Sequence, residues 1–112
     1  MTPNYYTDYD YYPSYWVVLK CPEVYKVLCG FYGGYLDGDD WRISSGITEV
    51  FAEDEDCYFI KNESGSVYKC HKKNEGLGRM TTHIFDRLRQ EYKNDVNIIK
   101  MTEYLDAKKE KI

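Results

Sequence analysis

Three groups of side chains in this 112-residue chain have the types and spacing to do chemistry. The first is acidic: Asp37, Asp39 and Asp40 in LDGDD, then the run Glu53, Asp54, Glu55 and Asp56. The three aspartates miss the calcium-loop pattern, because Gly38 falls between the first two acids and no glutamate stands at the closing position. They read as turn formers. Displayed on a rigid sheet, the seven carboxylates suit a basic partner, with long-range attraction speeding the encounter. The second group is aromatic. Tyr5, Tyr6, Tyr9, Tyr11 and Tyr12 in MTPNYYTDYDYYPS are amphipathic rings of the kind enriched at interfaces. The third is basic: Lys69, Lys72, Lys73 and Arg79 are interleaved with Tyr68 and His71, and Gly76 and Gly78 open onto a helix. Free amides at a helix start beside an arginine could take an anion, and lysines among aromatics could track a nucleic-acid backbone.

The same residues set limits on these chemistries. GLGR is neither a Walker A loop nor a full dinucleotide fingerprint. A sequence pI near 5.1 opposes non-specific binding to a polyanion. Cys57, Cys70, His71 and His83 contain no C-x-x-C pair and stand singly, so the cysteines read as small buried apolar groups and no metal or cofactor is expected. Cys70 and His71 are neighbours on a strand and point to opposite faces, which removes them as a nucleophile and base. No catalytic constellation emerges, and a non-enzymatic protein is the expectation.

The net charge of −4 conceals a division. Residues 21–56 carry nine acids and two bases, and residues 57–93 carry eight bases and four acids. Such a chain has either two charged faces or opposite charges brought together by strand pairing. No apolar run approaches the roughly 20 residues of a membrane span, and no export signal opens the chain. Four cysteines without a secretory context predict reduced thiols and a cytoplasmic protein that does not contact membrane.

The elements that must position these groups are mostly strands. YWVVLKC and VYKVLCGFYGG flank a turn at Pro22-Glu23 and form a hairpin apolar on both faces, hence central in its sheet. WRIS and GITEVFA follow as short strands around Ser44, Ser45 and Gly46. CYFIKN and SVYKCHK flank Asn62-Glu63-Ser64-Gly65, which places Gly65 in the left-handed region, Tyr58 opposite Cys70 and Ile60 opposite Tyr68. Met80, Ile84, Leu88 and Tyr92, with Phe85, form the apolar stripe of a helix from Thr82 to Lys93. VNIIKM returns as a strand. The expected fold is α+β: an antiparallel sheet of five to six strands with one principal helix packed on one face. Residues 1–14 form a tyrosine-rich arm, 15–101 a single domain, and 102–112 a charged tail, helical or disordered. Exposed aromatic strand edges permit a homodimer.

The succession YWVVLK, GFYGGYLDGDDWRISSGIT and ESGSVYKCHKK, within residues 15–78, resembles small uncharacterised accessory proteins of tailed bacteriophages. The resemblance implies a protein of the host cytoplasm that binds and modulates a host protein, components of host defence included. It carries over no functional residue. The acidic and tyrosine-rich groups are the candidate partner-binding surface on their own chemistry. The alternative is a nucleotide or nucleic-acid binding module using the basic hairpin and the helix start.

Overall fold

Alternating apolar residues on the first strand dictate the layering. A computed structural model of the chain describes residues 8–34 and 38–110. Strand β1 (Tyr15–Lys20) sends Trp16 and Val18 into one core and Val17 and Leu19 into another. It pairs antiparallel with β2 (Tyr25–Gly34), Lys20 facing Tyr25 across the Pro22-Glu23 turn. Strand β3 (Gly38–Ile43) lies outside β2, and β7 (Asn97–Ile99) outside β1, giving the order β3-β2-β1-β7. The hairpin with two apolar faces is therefore central, as its sequence requires.

Strands β4 (Ile47–Glu53), β5 (Cys57–Asn62) and β6 (Val67–His71) form a second antiparallel sheet in sequence order. Its inner face, Tyr58, Ile60, Tyr68 and Cys70, packs with Trp16, Val18, Val27 and Cys29 in one core. The register is the expected one, with Tyr58 facing Cys70 and Ile60 facing Tyr68 around Gly65 at φ 93°. Trp16 joins the sheets: its ring meets Tyr58 edge-on at 6.0 Å, and its Nε1 donates to the His71 carbonyl at 2.8 Å.

The fold is α+β, but the single sheet with one helix is corrected: seven strands divide between sheets of four and three, with two helices among the described residues. The division is made at residues 44–46. Buried Ser44 donates its amide to the Val27 carbonyl and accepts the Val27 amide on its hydroxyl, so β3 ends against β2. Gly46, at φ 156°, then turns the chain where a Cβ would stand 2.7 Å from Val24.

Helix α1 (Arg79–Glu91) covers the opposite face of the first sheet, setting Ile84, Met80, Phe85 and Leu88 on Val17, Leu19 and Leu28. It begins three residues before the expected Thr82. Gly78 is the N-cap residue, and Thr81 and Thr82 both turn their hydroxyls back to its carbonyl from inside the first turn. Helix α2 (Met101–Glu110) occupies most of the charged C-terminal segment and buries Met101 and Tyr104 in the intersheet core. The Glu75 carboxylate accepts the Met101 amide at 2.7 Å and so satisfies one free donor at the start of α2.

Candidate protein-interaction surface

The outward face of β4-β5-β6 carries the sequence groups that converge. Residues 10 and 11 run parallel to the outer edge of β6: the Asp10 and Tyr11 amides donate to the Val67 carbonyl, and the Lys69 amide donates to the Tyr11 carbonyl at 2.8 Å. The Asp10 carboxylate accepts the Val67 amide at 2.7 Å. An edge strand is thereby covered by the chain's own N-terminal segment. Tyr11 turns inward, packing 5.0 Å from Tyr68 and 6.4 Å from Phe31, with the Arg42 guanidinium 4.3 Å from its ring.

Tyr9 and Tyr12 turn outward, 5.7 Å apart and 44% and 46% exposed. Below them lies Phe59 of β5, fully buried, with Phe51 of β4 beside it at 6.3 Å and 38% exposed. Lys69, paired across the strands with Phe59, extends its ammonium to 4.9 Å from the Tyr12 ring, 5.2 Å from Tyr9 and 5.9 Å from Phe59. All three distances are within the range of a cation–π contact.

The acidic run is the β4–β5 turn beside these rings. Asp54 accepts the amides of Cys57 at 2.7 Å and Asp56 at 2.8 Å. Those two hydrogen bonds, aided by Lys69 and Lys72, hold its carboxyl below the usual range. Burial pushes the Cys57 thiol up, and Lys69 acts against it. Glu53 pairs with Lys72 at 2.6 Å, and Lys72 also stands 5.1 Å from the Tyr58 ring. Glu49 faces Lys61 across β4 and β5. The acidic and basic segments thus interleave here.

The remaining sequence-predicted residues are placed elsewhere. Tyr5, Tyr6 and Asp37 lie outside the described residues, as does the side chain of Asp39. Asp40 is on β3, where its carboxylate accepts the amide of Trp41 at 2.8 Å. Glu55 and Asp56 are exposed in the turn, and Lys73 is exposed in a 3-10 turn, Lys72–Asn74. Arg79 is exposed at the start of α1. The Gly76 amide donates to the Trp16 carbonyl and the Gly78 amide to the Thr81 hydroxyl, so both are already engaged. Gly78 has a packing reason as well: a Cβ would meet the Tyr15 ring at 2.2 Å.

Sequence reasoning missed Phe51 and Phe59. Their signal is positional, each standing three residues from an end of the Asp54-Glu55-Asp56 turn, which brings them together on a hairpin. Among the described residues no group of three His, Cys, Asp or Glu side chains could hold a metal ion, and no helix is long and apolar enough to cross a membrane. No protein-family model, curated protein or solved structure matches this chain.

Proposed function

We propose that this chain is a non-enzymatic binding protein of the phage accessory kind, engaging a host protein in the host cytoplasm through the outer face of β4-β5-β6. The observation that carries the reading is the meeting of Tyr9, Tyr12 and Phe51, each more than a third exposed, with the Asp54-Glu55-Asp56 turn around Lys69. Exposed aromatic anchors with a charged rim are the composition of a protein interface core and its border. The rings are also pre-organised: residues 10 and 11 are hydrogen-bonded to β6, so Tyr9 and Tyr12 lose little further freedom on binding. The rim carboxylates supply attraction at a distance and therefore association rate.

Capture from bacterial lysate at low and high salt tests this. A stoichiometric protein retained by the native chain should be lost with Tyr9→Ala/Tyr12→Ala. It should bind more slowly, with weaker salt dependence, when Asp54, Glu55 and Asp56 are replaced by Asn or Gln. Retention unchanged in both variants would remove this face from the mechanism. The nucleic-acid alternative rests on Lys69 among the same rings, and nuclease-sensitive absorbance at 260 nm without a protein partner would favour it. The pairing of Lys72 with Glu53 and the attraction between Lys69 and the Asp54 carboxylate weigh against it.

A further inference from the structure

Lys69 is placed over three rings, whereas the other described cations with ring contacts stack on one or two. Phe59 is the floor of this arrangement and Tyr9 and Tyr12 are its walls, tilted 54° to one another and open to solvent. Three aromatic faces around one ammonium make an aromatic cage, the arrangement that recognises quaternary and methylated ammonium groups. We propose that this cage receives a cationic side chain of the partner, and that Lys69 is the internal occupant it displaces. The proposal rests on the protein-interaction reading above and assigns the chemistry of the partner: a basic segment presenting an arginine or a methylated lysine.

Three features support exchange over a permanent internal contact. The Lys69 backbone is fixed independently of its side chain, through the Tyr11 carbonyl and its register with Phe59. Its four-carbon stem can therefore swing the ammonium into water without disturbing the sheet. The walls are held from outside the cage: Tyr9 and Tyr12 flank the segment bonded to β6, and Phe51 braces Phe59 from β4. The charge near the cage selects the same sign of guest, since the Asp54 carboxylate and Lys69 attract one another and Glu55 and Asp56 follow Asp54, exposed, in the same turn. A guanidinium or a methylated ammonium is more weakly hydrated than the lysine ammonium it replaces, so desolvation favours the incoming group.

Tetramethylammonium chloride, titrated against sodium chloride at equal ionic strength, is the direct probe. The readout is the ring-proton resonances of Tyr9 and Tyr12. Lys69→Thr keeps a strand-forming residue and vacates the cage; Lys69→Ala is the second variant, and circular dichroism establishes folding of each. The vacated proteins should bind tetramethylammonium at least tenfold more tightly than the native chain. Adding Tyr12→Leu should abolish that binding. Resonances that move no more than in the native protein, or equally with sodium, would overturn the cage. So would unfolding of both variants, because a displaceable occupant is not a structural requirement. Partner capture that still depends on Tyr9 and Tyr12 without any ammonium binding would refute the cage while leaving the interaction surface standing.

Discussion

The ring of Tyr15 lies directly on the backbone of Gly78. A Cβ at Gly78 would stand 2.2 Å from the Tyr15 Cζ, and one at Gly30 would meet the same atom at 2.2 Å. The ring is thus slotted between β2 and the start of α1, and it helps to set the helix on the sheet. Gly78→Ala should destabilise the protein by about 2 kcal/mol through overpacking, as read by urea denaturation. In a Tyr15→Leu background the same change should cost less than half as much, and additive losses would show that the clash is not with this ring.

Asp54 gives an acid-side prediction with a definite sign. Two amide hydrogen bonds hold its folded-state carboxyl below the unfolded value. The stability it contributes is complete above the unfolded carboxylate range, near pH 4, and is lost as the pH falls through the lower folded value. Asp54→Ala should lower stability at pH 7 by about 0.5–1 kcal/mol, a figure kept small because the group is solvent-screened, and should flatten the decline below pH 4. An unaltered acid limb in thermal melts would contradict this.

The thiols should separate by accessibility. Cys29, Cys57 and Cys70 are buried and Cys21 is half-buried, and burial raises all four, Cys29 to about 12. Iodoacetamide at pH 8 should label Cys21 alone in the native protein, slowly, and all four in denaturant, as counted by intact mass. Because the folded Cys29 value exceeds the unfolded one, its contribution is complete below about pH 8.5 and is lost as pH rises toward the folded value. Cys29→Ala should flatten the alkaline decline.

Asp40 is expected to protect the β3 edge. Strand β3 is an outer strand of its sheet, with Trp41 exposed, and the Asp40 carboxylate already takes the Trp41 amide. Edge donors left open invite pairing with a second chain. Asp40→Ala should therefore raise self-association at high concentration, seen as a rising weight-average mass by light scattering. A variant as monodisperse as the native chain would exclude this role.

Much of the fold is legible in local pattern. The hairpin β5–β6 and its register follow from Asn62-Glu63-Ser64-Gly65 and the alternation on either side. The β1–β2 hairpin follows from two apolar faces around Pro22-Glu23, and most of α1 from Met80, Ile84, Phe85 and Leu88 at helical spacing. Helix α2 has a shorter signal, Met101, Tyr104 and Leu105 on one face among charged residues, which matches a core-packed helix and an unstable isolated one equally well. Its partners are supplied by both sheets.

The sequence by itself determined most of the strands, their faces and the hairpin turns, because side-chain period, glycine conformation and β-branched or aromatic content act over a few residues; Asp39 and Asp40, turn formers by local preference, are instead drawn into β3 by pairing with β2. Only the tertiary structure decided that the strands form two sheets, since the β3–β4 break at Ser44–Gly46 depends on hydrogen bonds to Val27, distant in sequence. It also decided which charges and rings meet. Tyr9 and Tyr12 lie far along the chain from the Phe59–Lys69 hairpin, and pairing of residues 10 and 11 with the β6 edge brings all four around one ammonium. Long-range pairing and burial set that geometry, and neither is written in the spacing of nearby residues.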